Sequence, residues 1–473
     1  MSYDGRRDIE RLIDGIAKTR APRVYFIGLG GVSVSSLALE SLERGYAVSG
    51  SDRSESELTD KVAAAGGEVH IGHDAANVRA FCPDLLVYSA AIHDDNPEMK
   101  AAREDSIPVF RRAEYLGYIM SESRARVGVC GMHGKSTTTG LVSHLLIDGG
   151  LDPTVEVGAP VAELGGCCRD GEGGIFVYEA CEYTDSFLYT APTDVIVTNI
   201  DLEHLDWFSG LDAIIASFRR FISMSRRAVL NAADENVMRA AEGYESEIIT
   251  YSADPSVKAD YTCGEIVYDH GHPSFDVYER GALLLHASLG LAGAHNAMNA
   301  LAAIAEARAL GVAASSIERS LPVFTGCQRR FERIGVTKNG ALLYDDYAHH
   351  PTEIAAILKT VKTLGCRRSV IIHQPHTYSR LQGLYDSYTE LFRPGEILSD
   401  TDVVIFADIY AAREKAEDYH VSSERLAADT GRMYLGSFEN IARWIDENTG
   451  EGDVVMTVGA GDVVKLTKMV AMR

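Results

Sequence analysis

Short apolar runs that end in glycine or polar residues recur along this chain and predict buried strands of parallel sheets. In the first part of the chain these runs cover residues 23–27, 47–51 and 84–88. The first run is followed by a glycine loop at residues 28–33 and by a helix that extends through Leu42. Alternating strands and helices predict a doubly wound parallel sheet, with ligands bound at the carboxyl ends of the strands. We therefore expect the Gly28 loop, Asp52 and Ser89 to converge.

This first block leaves two interpretations open. Ser33 stands where the dinucleotide-binding fingerprint has its third glycine, so the fingerprint is incomplete. The block is therefore either a dinucleotide-binding domain or a structural Rossmann-like unit.

The most informative pattern is an apolar strand at residues 127–130 that runs into Gly131-Met-His-Gly-Lys-Ser136 and a helix. Backbone N–H groups in such a turn, at a helix N-terminus, favour phosphate. Lys135 is placed to reach the β- and γ-phosphates, and the Ser136 hydroxyl is placed to contact Mg²⁺. The strict motif begins with a glycine where this chain has Val129, and the alternative is an ordinary glycine turn with a surface lysine. The flanking strand and helix favour binding of ATP or GTP.

Acidic and imidazole groups follow two further strands of the second block, which covers about residues 124–324. The strand at 175–179 ends at Glu179, and the strand at 194–200 is followed by the polar segment 201–206, which contains His204. Groups of this kind beside a phosphate loop are suitable ligands for a nucleotide-bound Mg²⁺. The alternatives are a capping or salt-bridged acid for Glu179, and a core or surface histidine for His204.

A hairpin pattern and an alanine-rich helix complete the second block. The hairpin strands are predicted at residues 265–268, 275–278 and 282–289, and the helix begins at residues 295–299. Alanine-rich helices are usually packing elements, so residue types alone do not make Asn296 or Asn299 ligands.

The third block, roughly residues 325–473, has its own alternation of strands and helices. Its predicted strands begin at residues 342, 369 and 454 and lead into the segments 345–351, 374–380 and 459–462. Two of these strand ends carry aspartates, histidines and an arginine at a density that packing does not explain. We expect a site that faces another domain.

Composition and charge narrow the class of protein. The chain has 473 residues and a net charge of −23, from 68 acidic and 45 basic residues, which argues against nucleic acids and anionic membranes as partners. Its eight cysteines are scattered without metal-ligand spacing. Residues 1–20 have no apolar core, and no apolar run approaches the roughly 20 residues that span a bilayer. We expect a reduced, soluble, cytoplasmic protein of about two to four domains.

Taken together, these motifs resemble the Mur ligases, and the resemblance spans almost the whole chain in order and spacing. The segments that carry it are residues 28–32, 49–52, 88–92, 96–98, 131–136, 179–182, 198–206, 295–299, 329–331, 345–353 and 374–376. The segment Asp345-Asp-Tyr-Ala-His-His-Pro-Thr-Glu353 resembles the alanine-adding branch of the family and its close relatives more than the later ligases. Thr377 stands where relatives often carry arginine.

The resemblance implies three α/β domains and a set of site residues. The domains are a Rossmann-like UDP-substrate domain at 1–123, a central P-loop ATPase-type domain at 124–324, and a Rossmann-like C-terminal domain at 325–473 that closes over nucleotide and amino acid. The residues implied to bind the UDP substrate are Gly28, Gly30, Gly31, Asp52 and Ser89. Those implied to bind ATP are Gly131, Met132, His133, Gly134, Lys135, Ser136, Thr137, Asn296, Asn299, Arg330 and Asp346.

The remaining implied roles concern the metal, the amino acid and catalysis. Mg²⁺, or alternatively Mn²⁺, is implied at Ser136, Glu179 and His204, and the amino acid at His376 and Arg380. The residues implied to take part in catalysis are Lys135, Glu179, His204, His349 and Arg380. The planar fork of Arg380 suits an α-carboxylate, and His349 is a candidate to help deprotonate the amine.

The function implied by the resemblance is ATP-dependent joining of L-alanine to the lactyl carboxylate of UDP-N-acetylmuramate through an acyl phosphate. We expect a monomer or a weak homodimer that acts on small molecules. The alternatives are a recycling ligase that attaches a tripeptide, a nucleotide-binding regulator without ligase activity, and a nicotinamide-dependent oxidoreductase. The oxidoreductase would use the Gly28 loop and Asp52 but would leave residues 131–136 unexplained.

Overall fold

The computed structural model of the protein describes residues 5–89, 91–204, 207–399 and 401–472. Ala90, Leu205 and Asp206, which belong to motif segments named above, lie outside the described residues. The structure separates into two compact units. The first contains the described residues up to Thr262 together with Glu279–Ala282 and Leu301–Ile317, and the second contains Cys263–Tyr278, Leu283–Ala300 and the described residues from Glu318 onward.

The N-terminal part of the first unit is a five-stranded parallel sheet covered by helices. Its strands are β1 (Arg23–Ile27), β2 (Ala47–Asp52), β3 (Glu68–Ile71), β4 (Leu85–Tyr88) and β5 (Val109–Arg111), in the order β3-β2-β1-β4-β5. Its helices are α1 (Gly5–Ala17), α2 (Val32–Glu43), α3 (Glu57–Ala64), α4 (Ala75–Phe81), α5 (Pro97–Glu104) and α6 (Arg112–Ile119). The central strands β1 and β4 are almost wholly buried, as their apolar sequences require.

The central part of the first unit is a larger sheet. Its strands are β6 (Ala125–Cys130), β7 (Thr154–Val161), β8 (Gly166–Arg169), β9 (Ile175–Glu179), β10 (Asp194–Val197), β11 (Arg227–Asn231), β12 (Glu247–Ser252) and β13 (Tyr261–Cys263). They run in the order β13-β12-β11-β10-β6-β9-β7-β8, with only the β7–β8 pair antiparallel. The helices that follow these strands are α7 (Lys135–Asp148), α8 (Leu211–Ser223) and α9 (Glu235–Ala240). One apolar core is continuous between this sheet and the N-terminal helices.

Hairpin strands and two helices connect the sheets along the chain. The strands are β14 (Val267–Asp269), β15 (His272–Glu279) and β16 (Ala282–Ser288), and the helices are α10 (His295–Ala309) and α11 (Ala314–Ser320). Strand β15 pairs with both β14 and β16, close to the predicted hairpin.

The second unit contains a six-stranded sheet with an apolar core on each face. Its strands are β17 (Glu332–Val336), β18 (Leu342–Asp346), β19 (Arg368–His373), β20 (Val403–Ala407), β21 (Met433–Gly436) and β22 (Asp453–Val458), in the order β17-β18-β22-β19-β20-β21. Only β17 is antiparallel to its neighbour. The helices are α12 (Pro351–Thr363), α13 (Tyr378–Gly383), α14 (Tyr385–Phe392), α15 (Ser423–Thr430), α16 (Phe438–Asn448) and α17 (Val464–Val470).

The predicted fold class, a three-domain α/β architecture, is confirmed. The boundaries predicted at 123/124 and 324/325 stay predictions. Among the helices of the described residues, none combines the length and the apolar character needed to cross a membrane.

Candidate active site

The phosphate loop is fixed by the end of the neighbouring strand. Strand β10 stops at Val197, three residues short of its predicted end, because the next residues turn toward the loop. The Asn199 side chain accepts the His133 N–H at 2.9 Å and donates to the His133 carbonyl at 2.9 Å, while the Thr198 hydroxyl donates to the same carbonyl at 2.7 Å. A Cβ atom at Gly131 would lie 2.0 Å from Thr198 Oγ1, so only glycine fits there.

The loop ends in the left-handed Gly134 at φ 80°, which is the N-cap of helix α7. This conformation explains why glycine precedes Lys135. The loop residue Met132 and the helix residue Thr137 are both buried. Residues 131–137 thus form the strand–turn–helix that the sequence predicts for a phosphate loop.

Lys135 is held by a carboxylate that the sequence analysis did not select. Its Nζ donates to the Gly131 carbonyl at 2.6 Å, to the Met132 carbonyl at 3.2 Å and to Glu182 Oε1 at 3.0 Å. Burial disfavours the ammonium, but the Glu182 carboxylate outweighs it and raises the pKa of Lys135 above its ordinary value. Glu182 belongs to the motif at residues 179–182, but only its burial beside the lysine reveals its role.

Of the three predicted metal ligands, Ser136 and Glu179 contact each other, whereas His204 contacts Glu182. The Ser136 hydroxyl donates to Glu179 Oε2 at 2.8 Å, and the Gly158 N–H donates to the same oxygen at 2.9 Å. His204 Nε2 instead lies 3.2 Å from Glu182 Oε1. Burial opposes ionisation of Glu182, yet Lys135 and His204 together lower its pKa. The structure therefore brings Ser136 to Glu179, and His204 to Glu182 rather than to Glu179.

The oxygen atoms of this site suit a hard divalent cation as ligands. The Ser136 hydroxyl and the Glu179 carboxylate are the oxygen ligands that Mg²⁺ prefers. In addition, Glu182 Oε2 is buried and has no hydrogen-bond partner among the described residues. The oxygen set at the start of helix α7 therefore fits Mg²⁺.

The predicted convergence of the N-terminal loops is confirmed. The Gly30 N–H donates to Asp52 Oδ2 at 2.8 Å, and a Cβ atom at Gly28 would lie 3.1 Å from the Ser89 Cβ. Gly28 has φ 87°, and Gly31 is the N-cap of helix α2. The loop is thus packed between the ends of β2 and β4.

In the second unit, Asn296 and Asn299 bond to each other. Asn299 Nδ2 donates to Asn296 Oδ1 at 2.9 Å, and Asn296 Nδ2 donates to the Ala292 carbonyl at 2.7 Å. Both side chains are buried at the start of α10. Their contact with adenine stays a prediction.

Arg330, which precedes β17, lies near Asp346, the last residue of β18. Asp346 is buried, and its two oxygens accept the Phe331 N–H at 2.7 Å and the Ala348 N–H at 2.6 Å. Burial raises the pKa of Asp346 to about 7, although the Arg330 charge opposes the rise. The Arg330 guanidinium lies 5.3 Å from the centre of the Tyr347 ring. In this geometry Asp346 fixes the segment before β17 and the segment after β18.

His349, His376 and Arg380 form the second polar cluster of this unit. The rings of His349 and His376 are 5.7 Å apart, and the Tyr410 ring stacks on His376 at 5.6 Å. His376 Nδ1 and Arg380 Nη1 are buried without a hydrogen-bond partner among the described residues. Burial lowers the pKa of His349 to about 4 despite the nearby Glu353. The cluster therefore offers an unpartnered guanidinium nitrogen and a neutral imidazole.

His373, at the end of β19, is a core residue rather than a ligand. Its ring is fully buried and lies 5.1 to 6.0 Å from the rings of Tyr388, Phe392 and Phe406. Burial lowers its pKa to about 3. The imidazole thus serves as an aromatic packing element.

Comparison with known proteins agrees with this organisation. The chain matches the models of the Mur ligase family, catalytic domain (residues 23–124), the Mur ligase middle domain (129–307) and the Mur ligase, glutamate ligase domain (329–461). It is 42% identical over 454 residues to a UDP-N-acetylmuramate--L-alanine ligase of Caldanaerobacter subterraneus subsp. tengcongensis, covering 94% of this chain and 96% of the relative.

Solved structures share the three-sheet architecture. The UDP-N-acetylmuramate-alanine ligase from Thermotoga maritima matches with a TM-score of 0.79 at 26% identity, covering 94% of this chain and 97% of that chain. A murein peptide ligase from Psychrobacter arcticus matches with a TM-score of 0.70 at 23% identity, covering 95% of this chain and 98% of that chain. The second likeness concerns the fold alone.

Proposed function

The chain belongs to the Mur ligase family, and on that premise we propose that it joins L-alanine to the lactyl carboxylate of UDP-N-acetylmuramate, using ATP, in peptidoglycan precursor synthesis. The observation that carries the ATP chemistry is the phosphate loop, with Lys135 Nζ 3.0 Å from a buried carboxylate and Ser136 bonded to Glu179. The substrates are those named for the relative that is 42% identical over 94% of the chain.

The first chemical step is phosphoryl transfer. A lactyl carboxylate oxygen attacks the γ-phosphorus of ATP, the bond to the β,γ-bridging oxygen breaks, and ADP leaves with its electron pair. Lys135 donates hydrogen bonds to the phosphate oxygens, and the backbone N–H groups of residues 131–136 hold them in place. Glu182 keeps the lysine charged and oriented, so it is a positioning residue.

The cation site would be formed by Ser136 and Glu179, with His204 orienting Glu182. When bound, Mg²⁺ would neutralise part of the negative charge on the phosphate groups. The Gly158 N–H fixes one oxygen of Glu179 at 2.9 Å, so the carboxylate is oriented by the protein itself.

The second step forms the amide bond. The alanine amine attacks the carbonyl carbon of the acyl phosphate, loses a proton, and inorganic phosphate leaves from the tetrahedral intermediate. We propose that Arg380 binds the α-carboxylate, because its Nη1 is buried without a partner among the described residues. His349 has a pKa of about 4, so it is neutral near pH 7 and has a nitrogen able to accept a hydrogen bond from the amine.

Phosphate release from ATP in the presence of Mg²⁺ or Mn²⁺ tests the proposal. Release that requires both UDP-N-acetylmuramate and L-alanine is the expected result. Phosphate release that occurs with a free tripeptide but not with alanine would instead assign the recycling activity. ATP binding without turnover on any acceptor would refute ligase activity. Glycine and L-serine in parallel reactions measure how strictly the amino-acid site selects alanine with Thr377 in place of arginine.

A further inference from the structure

Ser33, Arg112 and Glu156 form a polar network, hereafter the Arg112 network, that none of the sequence motifs indicated. Arg112 Nη1 donates to Ser33 Oγ at 2.6 Å and to Glu156 Oε1 at 3.3 Å. The Ser33 hydroxyl in turn donates to Glu156 Oε1. The three residues come from helix α2, the start of helix α6 and strand β7, so distant segments of the first unit meet at this point.

The network is more than a surface ion pair. Glu156 is 7% exposed, and a buried carboxylate needs a cation or strong hydrogen-bond donors to remain ionised. Burial raises the pKa of Glu156, while Arg112 and Ser33 oppose the rise. A glycine at position 33 would remove one of the two groups that bond this carboxylate. The serine therefore contributes a contact that the glycine of the dinucleotide fingerprint cannot make.

Toward the residues that the structure describes, Arg112 donates hydrogen bonds through a single nitrogen. All of its hydrogen bonds within the described part of the chain are made through Nη1, and the side chain is 20% exposed. A guanidinium carries five N–H donors in a rigid fork. Nε and Nη2 are therefore available to a ligand while Glu156 and Ser33 hold the opposite edge.

The position of the network identifies the chemistry of that ligand. Ser33 is the last residue of the glycine loop predicted at residues 28–33. Glu156 lies in β7 two residues before Gly158, whose N–H bonds Glu179 at the phosphate loop. Between the proposed UDP site and the proposed ATP site, the substrate carries two kinds of anionic oxygen groups, its diphosphate and its lactyl carboxylate.

We propose that Arg112 binds an anionic oxygen group of UDP-N-acetylmuramate, and that Ser33 and Glu156 are positioning residues that hold its guanidinium. This inference rests on the proposed function. The bidentate geometry of arginine with carboxylate or phosphate explains why a guanidinium, rather than an ammonium, is held here.

Calorimetric titration of UDP, UDP-N-acetylglucosamine and UDP-N-acetylmuramate tests the inference directly. We expect Arg112→Ala to weaken binding of UDP-N-acetylmuramate about 10- to 100-fold, the range typical of hydrogen bonds to charged groups. Loss with all three ligands assigns the diphosphate, and loss with UDP-N-acetylmuramate alone assigns the lactyl carboxylate. Arg103→Ala, which removes an exposed ion pair with Asp94 in the same domain, is the matched control and should bind all three normally.

The positioning residues are tested by steady-state kinetics. Ser33→Gly and Glu156→Gln should raise KM for UDP-N-acetylmuramate by several-fold while KM for ATP stays unchanged, and Ser33→Thr, which keeps the hydroxyl, should restore it. If Ser33 and Glu156 had a purely structural role, these substitutions would lower the melting temperature and change KM for UDP-N-acetylmuramate, ATP and alanine alike. Arg112→Lys keeps a charge beside Glu156 and covers the case in which Arg112→Ala does not fold.

Failure of the inference is distinguishable from failure of the proposed function. Wild-type enzyme that does not release phosphate with UDP-N-acetylmuramate and alanine would refute the function. Active wild-type enzyme with unchanged affinity of the Arg112→Ala and Arg112→Lys variants for all three ligands would overturn only the role of Arg112.

Discussion

The buried pair of Lys135 and Glu182 allows a catalytic role of the lysine to be separated from a structural one. Lys135 Nζ lies 3.0 Å from Glu182 Oε1, and the two side chains are 14% and 1% exposed. Lys135→Ala removes a donor to phosphate and also the main counter-charge of a buried carboxylate. We therefore expect this substitution to cause two separate losses.

The size of each loss follows from the surroundings. Removing one partner of a buried ion pair typically costs about 3–5 kcal/mol. Glu182 keeps His204 Nε2 at 3.2 Å, so we expect the free energy of unfolding to fall by roughly the lower end of that range, about 3 kcal/mol. Losing a preorganised donor to a developing charge lowers turnover by about 10²–10³-fold.

The double variant Lys135→Ala/Glu182→Gln separates the two effects. Its amide carries no charge to be left uncompensated, so most of the lost stability should return, with a coupling of about 1–3 kcal/mol between the two sites. Turnover should remain as low as in the single variant, because the phosphate donor is still missing. Urea unfolding and phosphate release at saturating substrates measure the two quantities.

Recovery of turnover together with stability in the double variant would show that Lys135 acts only as a counter-ion, and would refute its role at the phosphate. Near-normal turnover of Lys135→Ala would do the same. The control is Lys338→Ala. Lys338 Nζ lies 2.6 Å from the Asp446 carboxylate, and the lysine side chain is 61% exposed. It should change neither turnover nor the urea midpoint measurably.

Three further predictions concern other groups. Glu306 is fully buried without a hydrogen-bond partner among the described residues, and burial, aided by Asp194, raises its pKa from 4.5 to about 8, although Arg227, whose Nη1 lies 4.0 Å from Glu306 Oε1, opposes the rise. Because the folded pKa is the higher one, the free energy of unfolding falls by roughly a few kcal/mol as pH rises from 4.5 to about 8. Glu306→Gln should reduce the pH dependence of the urea midpoint over this range, and an unchanged pH dependence would contradict the prediction. Arg380→Lys should raise KM for alanine on the order of 10-fold without changing KM for ATP, whereas equal changes in both would remove Arg380 from the amino-acid site. His349→Ala should lower kcat by about 10²-fold or more, and an unchanged rate and pH profile would refute a role in amine attack.

Strand positions were predictable because buried parallel strands leave a local signal. The predicted runs at residues 23–27 and 175–179 coincide with β1 and β9. The helix α1 was not predicted from the polar N-terminal sequence. Its buried residues include only two large apolar side chains, Ile9 and Ile13, one turn apart, and its packing partner α6 lies far along the chain. Packing against a distant helix stabilises such an element more than its own sequence does.

Contacts between loops were less predictable than the loops themselves. The sequence indicated the phosphate loop at residues 131–136, but it also extended strand β10 to residue 200. The strand ends at Val197 because Asn199 satisfies the N–H and carbonyl of His133. The sequence did not indicate the Arg112 network either, because its three residues lie far apart along the chain and meet only after folding.

The two acids of the motif at residues 179–182 show why residue type and spacing do not assign partners. Glu179 is the last residue of β9 and bonds Ser136, whereas Glu182 lies beyond the strand and bonds Lys135. Just beyond Glu182 the chain turns through Thr184 and Asp185, whose φ values of 55° and 57° are left-handed. Nothing in a three-residue spacing encodes that turn, so the sequence could indicate that acids approach the phosphate loop but not which one neutralises the lysine. The double variant at positions 135 and 182 therefore tests a pairing that depends on the backbone path rather than on the motif.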